Sequence, residues 1–177
     1  IAPNFFSWIV PINETTARIG LAVKNNPSLH FKKFIKSIKI KKVINYQAGL
    51  IPIYNPKIKT QLNNKYIVGD AATQIKASTG GGLIPGLKCA KILANSIINK
   101  TNYDKDWRKK LAKELFTHNL IRKTLNNFSD KNYNELIAIL NNEKSLFKKY
   151  GRDSGFKLLS NLILKQPKLI KYGFKIF

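Results

Sequence analysis

Residues 65–100 read KYIVGDAATQIKASTGGGLIPGLKCAKILANSIINK, and this stretch decides the fold. The pattern predicts a short strand at 65–68 that ends in the GDAA of residues 69–72, then a polar connector and the GGG of residues 80–82. A helix is predicted from the glycines to about Lys100, with Pro85 in its first turn, where a missing N–H costs little. One face of this helix is apolar, and lysine and asparagine lie on the outward face. The apolar face consists of Leu83, Leu87, Ala90, Ala94 and Ile97.

Each part of this unit has a physical use in ligand binding. The carboxylate of Asp70, held at a strand end, can accept hydrogen bonds from ligand hydroxyls, and the alanines beside it leave room for an extended ligand. Glycines at a helix start allow close approach, and the positive end of the helix dipole favours an anion there. Such a site fits a polyhydroxylated chain that ends in a ring system which becomes negative on reduction.

The unit resembles the second FAD-binding motif of the para-hydroxybenzoate-hydroxylase-like flavoproteins, and it is most similar to their geranylgeranyl reductase branch. The resemblance implies that Asp70 binds the ribityl chain of FAD. It also implies that the glycine-rich helix start faces the pyrimidine edge of the isoalloxazine and stabilises the reduced anion. Gly-Asp alone is more often a turn with an Asx cap, and the glycines at the family's spacing reverse that preference. The implied cofactor-binding residues are Gly69, Asp70, Ala71, Gly80, Gly81 and Gly82.

Two positions depart from the family's pattern. Thr73 stands where archaeal members often have glycine, and Ala77 stands where proline is usual. The shape of the connector between the two halves of the motif is therefore not fixed by the resemblance.

A second match to the geranylgeranyl reductase family lies near the start of the chain. FSWIVP at residues 6–11 and GLA at residues 20–22 are similar to the family's Tyr-x-Trp-x-Phe-Pro-x8-Gly-x-Gly substrate-site signature, at the same spacing. The resemblance implies substrate-binding roles for Phe6, Trp8, Pro11 and Gly20, with Trp8 and Pro11 lining a tunnel for an isoprenoid chain. Phe6 lacks the phenol of the family's tyrosine, so it is expected to be a pocket wall without an acid–base role. A place for Trp8 in the core of a sheet is an equally open alternative.

Outside this unit, the first third of the chain reads as strand-rich and the last third as helical. Strands are predicted at 5–11 and 16–23, a helix start at 25–28 and strand-like character at 39–46. Helices are predicted at 104–126, 130–149, 154–165 and 167–177. The lysine-rich helices after residue 142 are predicted to pack on the domain, with an interfacial membrane helix as the alternative.

The fold class is therefore α+β. By resemblance it is the C-terminal portion of a para-hydroxybenzoate-hydroxylase-like FAD fold, with an antiparallel substrate sheet, a strand–loop–helix FAD motif and a helical tail. The predicted parts are a substrate-binding β-rich portion at 1–64, the FAD-binding unit at 65–100 and a C-terminal helical subdomain at 101–177.

The net charge of +23 attracts phosphates without regard to sequence. Lysine, asparagine and isoleucine are abundant together, which indicates a compositional bias of the genome. A solvated lysine surface is therefore the preferred interpretation, an anionic membrane contacted peripherally comes second, and RNA third. Nucleic acid is the least favoured partner, because aromatic residues are not interleaved with the basic ones.

A single cysteine and two histidines offer little for metal or disulfide chemistry. Cys89 has no metal-ligand partner at a useful spacing, which predicts no metal site and suits a reducing cytoplasm. It lies near the apolar face of the predicted helix and is expected to pack there. His30 and His118 are expected on the surface. No apolar run is long enough to span a bilayer, and no leader sequence opens the chain.

One part that such a flavoprotein needs is not found. The family holds the ADP half of FAD with an amino-terminal strand–loop–helix bearing Gly-x-Gly-x-x-Gly, and residues 80–82 lack that spacing and the later acidic ribose ligand. The chain also contains no methionine. We expect a processed product, a fragment, or a start that was trimmed or read from an unusual codon. The missing half would come from the same precursor or from a separate chain in a heterodimer, across a large apolar interface.

By resemblance, the expected function is an FAD-dependent reductase that saturates carbon–carbon double bonds of isoprenoid chains, as in archaeal-type membrane lipid biosynthesis. The isolated chain is expected to be inactive and to bind FAD poorly, and no residue stands out as the proton donor. Two alternatives stay open: another flavoprotein oxidoreductase, quinone-linked or halogenase-like, and a basic RNA- or membrane-binding protein with a vestigial flavin motif.

Overall fold

A computed structural model of the chain describes residues 2–150 and 155–173. The fold is α+β, built from two short antiparallel hairpins and a series of helices. The chain divides into two compact units, with the boundary after Gly49. This boundary lies ahead of the predicted division at residue 64.

The first unit consists of a hairpin followed by a helix. Strand β1 (Ser7–Pro11) pairs with β2 (Ala17–Leu21) in antiparallel register. The turn between them is held by Asn13, whose Oδ1 accepts the backbone N–H groups of Thr15 and Thr16 at 3.0 and 2.8 Å. Helix α1 (Pro27–Ser37) begins with a proline in its first turn, which fits because the N–H there needs no partner. The predicted strands and helix start are confirmed.

The strand-like character predicted for residues 39–46 is wrong. Lys39 turns the chain in the left-handed region at φ 49°, and residues 42–50 are exposed and contain no strand. A β-strand needs a hydrogen-bonded neighbour. Among the described residues, no strand pairs with this segment. Alternating apolar residues indicate a preference for extended backbone and do not supply that neighbour.

The second unit begins with a small hairpin and continues through helices. Its strands are β3 (Gln61–Leu62) and β4 (Lys65–Tyr66), and a 3-10 turn follows at Gly69–Ala72. The helices are α2 (Leu83–Ile98), α3 (Tyr103–Trp107), α4 (Lys113–Asn126), α5 (Asp130–Asn142), α6 (Lys144–Tyr150), α7 (Gly155–Lys165) and α8 (Ile170–Gly173). A π-helical stretch at Arg108–Ala112 joins α3 to α4, and a 3-10 turn at Pro167–Leu169 precedes α8.

The predicted helices are therefore confirmed with different boundaries. Residues 103–126 form one continuous run, while the helix predicted at 130–149 is interrupted at Glu143. Ser129 caps α5 with a capping box, in which its hydroxyl accepts the N–H of Asn132 and the Asn132 side chain accepts the N–H of Ser129. Residue 154, the first of the helix predicted at 154–165, and residues 174–177, the end of the last predicted helix, lie outside the described residues.

Two apolar clusters hold the second unit together. The first joins the loop before β3 to α2, α3 and the start of α4, and it contains Tyr54, Cys89, Ile92, Tyr103, Trp107, Leu111 and Leu115. The second joins α6, α7 and α8 and contains Leu146, Leu162, Leu169 and Tyr172. Packing of the lysine-rich helices after residue 142 is therefore confirmed. None of the helices in the described ranges is long and apolar enough to cross a membrane.

A polar network explains why the segment before β3 belongs to this unit. Asp104 Oδ1 accepts the backbone N–H and the hydroxyl of Thr60 at 3.0 and 2.6 Å, and the indole N–H of Trp107 donates to the same hydroxyl at 2.7 Å. Arg108 donates to Asp104 at 2.8 Å and to the carbonyl of Pro56 at 2.8 Å. Burial raises the pKa of Asp104, but hydrogen bonds from Arg108 and Thr60 outweigh it and lower that pKa to about 2.

Candidate functional site

The Gly-Asp-Ala-Ala segment forms a 3-10 turn, where the end of a strand was predicted. Strand β4 stops at Tyr66, and the turn begins at Gly69 with φ 71°. It ends at Thr73, whose φ of 53° is also left-handed and whose N–H donates to the carbonyl of Asp70 at 2.9 Å. A tight turn exposes the carboxylate of Asp70 as a strand end would, so the role predicted for this residue does not depend on the strand.

A buried glutamine that no sequence motif singles out holds this turn. Gln74 accepts the N–H of Gly69 at 2.8 Å through its side chain and donates its own N–H to the carbonyl of Gly69 at 3.0 Å. Its amide nitrogen donates to the hydroxyl of Tyr103 at 2.9 Å, and neither side chain is exposed. Burial raises the pKa of Tyr103 to about 12, so the phenol stays neutral. Only the tertiary contact with α3 distinguishes Gln74 from an ordinary polar loop residue.

Asp70 and Gly82 meet at the start of α2. A Cβ added to Gly82 would overlap Oδ1 of Asp70 and would lie 3.4 Å from Cδ1 of Ile75. Gly82 is also the residue that precedes the helix, and the first N–H groups of a helix have no partner within it. The carboxylate therefore lies beside a glycine at the positive end of a helix dipole.

A close approach of backbone completes the site. A Cβ on Gly86 would lie 3.4 Å from the Cα of Gly69, so the first turn of α2 packs directly on the start of the 3-10 turn. The two elements border a cleft of about 460 Å³. The cleft is lined by Val68, Gly69, Asp70, Gly82, Leu83, Gly86, Leu87 and Ala90.

Three of the six predicted cofactor residues, Gly69, Asp70 and Gly82, thus line one cleft. Ala71 is exposed in the 3-10 turn. Gly80 and Gly81 belong to a turn before α2 and use their N–H groups within it, toward the carbonyl of Lys76 at 2.8 Å and Oγ1 of Thr79 at 3.3 Å. The N–H groups of Gly80 and Gly81 were expected to face an anion, and they shape the turn in this structure.

The apolar face predicted for α2 lies on the outside of the unit. Leu83, Leu87 and Ile97 are 75%, 60% and 54% exposed, and Ala90 and Ala94 are exposed as well. The helix packs through a neighbouring face that contains Pro85, Cys89, Ile92 and Ser96. Cys89 is fully buried, as expected for a packing residue, and burial raises the pKa of its thiol to about 12.

The predicted substrate residues lie in the first unit. The indole of Trp8 covers Gly20, its partner in the β1–β2 register, so that a Cβ on Gly20 would overlap the ring. The rings of Phe6 and Trp8 meet edge to face at 5.8 Å, and both side chains are exposed. Trp8 therefore does not lie in a sheet core, and Pro11 is exposed at the far end of β1.

The surface position predicted for His118 is wrong. This side chain is only 4% exposed, and its Nδ1 lies 2.6 Å from the hydroxyl of Ser78 in the connector. Its Nε2 lies 3.4 Å from the carboxylate of Glu114, which accepts the first backbone N–H groups of α7 from Gly155 and Phe156. Within the described ranges, His, Cys, Asp and Glu side chains form no group of three that could hold a metal ion.

Several curated proteins that this chain resembles are digeranylgeranylglycerophospholipid reductases. Digeranylgeranylglycerophospholipid reductase 2 of Methanothermobacter thermautotrophicus is 30% identical over 156 residues, covering 78% of this chain and 40% of that protein. The digeranylgeranylglycerophospholipid reductase of Methanocaldococcus jannaschii is 28% identical and that of Methanospirillum hungatei 30%, and they cover 97% and 98% of this chain. The resemblance to the geranylgeranyl reductase family is confirmed.

The chain spans less than half of the length of these geranylgeranyl reductase relatives, 47% for each of the last two. The part that matches is C-terminal in them. No family model matches the chain, and no solved structure matches it.

Proposed function

We propose that this chain is the C-terminal part of an FAD-dependent reductase that saturates carbon–carbon double bonds of isoprenoid chains. The cleft between the 3-10 turn and α2 carries this proposal, because it brings Asp70 and Gly82 together at a helix N-terminus. The names of the geranylgeranyl reductase relatives support two parts of the proposal, that the reaction is a reduction and that the substrate is an isoprenoid lipid.

The cleft suits the ribityl and isoalloxazine parts of a flavin. Asp70 would accept hydrogen bonds from ribityl hydroxyls, and the close contact of Gly69 with Gly86 keeps side chains out of the path of an extended ligand. Gly82 and the first N–H groups of α2 would stabilise negative charge on the ring, as the dipole of a helix does for anions. When bound and reduced, FAD would supply the hydride for reduction of the double bond, and the protein would orient the cofactor and exclude water.

The fold of the complete protein would be para-hydroxybenzoate-hydroxylase-like, with this chain as its C-terminal portion. The exposed apolar face of α2 supports the proposal that another part of the protein binds there. Leu83, Leu87 and Ala90 of that face also line the cleft, and the stripe continues along the helix to Ala94 and Ile97. Exposed apolar surface of this kind marks an interaction site. We therefore propose that a nucleotide-binding half, from the same precursor or from a separate chain, covers this face and contributes the ADP site.

The first unit would bind the isoprenoid chain. The rings of Phe6 and Trp8 form an exposed aromatic surface beside Gly20. An apolar isoprenoid chain could pack against the faces of these rings. Phe6 has no hydroxyl to donate a proton, so it would act as a wall. The lipid substrate and the net charge of +23 also support a peripheral contact with an anionic membrane.

The first experiment is to tag the chain in its host, purify it gently and record its visible absorption spectrum. Flavin bands together with the nucleotide-binding half are the expected result. A preparation that contains the nucleotide-binding half but is colourless and releases no flavin on denaturation would contradict the proposal and favour the RNA- or membrane-binding alternative. Asp70→Ala should lower the flavin content, whereas Asp130→Ala, which removes an exposed carboxylate at the start of α5, should not.

The substrate is tested separately on the flavin-containing preparation. A reduced flavin and an unsaturated isoprenoid lipid should yield a product that is heavier by two hydrogen atoms for each double bond, detected by mass spectrometry. A preparation that holds flavin and leaves the lipid unchanged would contradict the isoprenoid substrate while leaving the flavoprotein intact. Reduction of a quinone under the same conditions would favour the quinone-linked alternative.

A further inference from the structure

Helix α4 presents two buried polar side chains to the connector of the flavin motif. His118 and Arg122 lie four residues apart, which places them on the same face of the helix. They are 4% and 8% exposed, although α4 belongs to the part of the chain that was predicted only as a helical tail.

Arg122 binds the backbone of the connector at two consecutive residues. Its Nε donates to the carbonyl of Ala77 at 3.2 Å, and its Nη2 donates to the carbonyl of Ser78 at 2.7 Å. His118 lies 2.6 Å from the hydroxyl of the same Ser78. Burial lowers the pKa of Arg122, and a buried guanidinium is costly unless hydrogen bonds compensate it. An apolar side chain would fill the same space without the desolvation cost of a guanidinium. The presence of Arg122 here therefore points to a role for its hydrogen bonds to the connector.

The carbonyls that Arg122 binds lie at the tip of a closed turn. Lys76 accepts the N–H groups of Thr79 and Gly80 at 3.1 and 2.8 Å, and its own N–H donates to the carbonyl of Gly81 at 3.1 Å. The carbonyls of Ala77 and Ser78 point away from this ring of bonds toward α4. Without a donor from α4, these partly or fully buried carbonyls would lose their partners, and the turn would rearrange to find others.

The turn determines where the cleft begins. Gly82 follows Gly81 directly and is the residue whose missing Cβ leaves room for the carboxylate of Asp70. A shift of the turn would therefore move Gly82 against Asp70 and would move the first N–H groups of α2.

We infer that Arg122 is a positioning residue, which uses its two-carbonyl contact to preset the turn at residues 76–81 and thereby the flavin cleft. His118 supports the same turn through Ser78. The consequence for flavin binding rests on the function proposed above, whereas the effect on the turn does not.

Hydrogen exchange of the chain without flavin tests the effect on the turn. In Arg122→Met, the amides of residues 79–81 should exchange about tenfold faster or more, while those of α5 keep the rate of the wild type. Arg122→Lys keeps the charge but cannot span both carbonyls, so its rates should be intermediate. Lys123→Met removes an exposed charge one residue away and should change nothing.

Unchanged exchange in a folded Arg122→Met protein would overturn the inference. If Arg122→Met does not fold, Arg122→Lys provides the test. Exchange rates equal to those of the wild type in Arg122→Lys would show that the two-carbonyl contact is not needed and would overturn the inference.

Flavin binding tests the consequence for the cleft. In the flavin-containing preparation, Arg122→Met should raise the dissociation constant for flavin about tenfold, Arg122→Lys should restore part of the affinity, and Lys123→Met should match the wild type. Equal affinity in all three variants would overturn the link between the turn and the cleft. A wild-type preparation without flavin would contradict the proposed function, and the exchange rates would still decide the role of Arg122.

Discussion

The two apolar faces of helix α2 differ in what covers them. Cys89 and Ile92 on one face are buried against Tyr103 and Trp107 in the first apolar cluster. On the other face, Leu87 is 60% exposed and borders the cleft. The difference shows that apolar periodicity in the sequence identifies helix faces that favour burial. Which of these faces is buried within this chain depends on the elements that pack against the helix.

The largest expected effect is on stability, and it is seen when an isoleucine on each face of α2 is replaced by alanine. Ile92→Ala, on the buried face, should lower the free energy of unfolding by about 2–5 kcal/mol, because it removes buried methyl groups and leaves a cavity. Ile97→Ala, on the exposed face, should change that free energy by less than about 0.5 kcal/mol. Urea denaturation followed by tryptophan fluorescence measures both. Equal losses would contradict the distinction between the faces.

A charge on the exposed face should act on assembly and not on stability. Leu87→Glu should leave the free energy of unfolding of the isolated chain within about 0.5 kcal/mol. It should weaken association with the proposed nucleotide-binding half about 100-fold, because an unpaired carboxylate would be buried in the interface. Recovery of the partner and flavin after purification from the host measures the loss. The control is Leu62→Glu in the β3–β4 hairpin, which is 64% exposed and away from the cleft lining.

If Leu87→Glu kept its full yield of partner and flavin, the exposed face of α2 would not be the interface. If Leu62→Glu lost them as well, the loss would reflect added charge in general and would not locate the interface on α2.

The network at Asp104 should make the buried side of the unit sensitive to acid. Asp104→Asn should lower the free energy of unfolding at neutral pH by about 1–3 kcal/mol, because the hydrogen bonds to Arg108 and Thr60 lose a charged acceptor. The pKa of Asp104 is lower in the folded chain than in the unfolded one. Its contribution is therefore present above an unfolded pKa of about 3.9 and is lost as the pH falls toward about 2.

Denaturation curves at several pH values test this sign. The wild type should lose more stability than Asp104→Asn between neutral pH and pH of about 2. Asp130→Asn, an exposed carboxylate, should keep the pH profile of the wild type. Parallel profiles for the wild type and Asp104→Asn would remove Asp104 from the acid response.

The smallest effect concerns Thr73 at the end of the 3-10 turn. Its φ of 53° is unfavourable for a β-branched residue, while its hydroxyl accepts the N–H of Asn55 at 3.0 Å. Thr73→Gly should change the free energy of unfolding by less than about 1 kcal/mol, because relief of backbone strain offsets the lost hydrogen bond. Thr73→Val keeps the strain and loses the bond, so it should cost about 1 kcal/mol more than Thr73→Gly. Chemical denaturation of both variants measures the difference, and a more stable valine variant would contradict it.

Much of the fold followed from local sequence signals. The hairpin of β1 and β2, the helix that follows it and the helical second half were predicted because strand alternation, helix caps and breakers act over a few residues. The glycine positions were also informative. Gly82 and Gly20 are places where a Cβ would overlap a neighbouring side chain, and the motif spacing selected both of them.

Other features depended on residues far apart in the sequence. The strand predicted at 39–46 was absent because pairing needs a neighbour. His118 was placed on the surface because a lone histidine in a helix gives no sign of its partner, and Ser78 lies 40 residues earlier. Gln74 and Arg122 were missed for the same reason. Gln74 donates to the hydroxyl of Tyr103, 29 residues later, and Arg122 binds backbone carbonyls 44 and 45 residues earlier.

The sequence by itself determined the chemistry that is available: a carboxylate and a glycine triplet at the spacing of a flavin motif, an aromatic strand and an excess of lysine. These depend on residue type and short spacing, which the chain carries directly. Only the tertiary structure decided that Asp70 meets Gly82 at one cleft, that α4 holds the connector and that the apolar face of α2 lies uncovered. Contacts between distant segments fix those features, because packing and hydrogen bonding are settled when the elements come together.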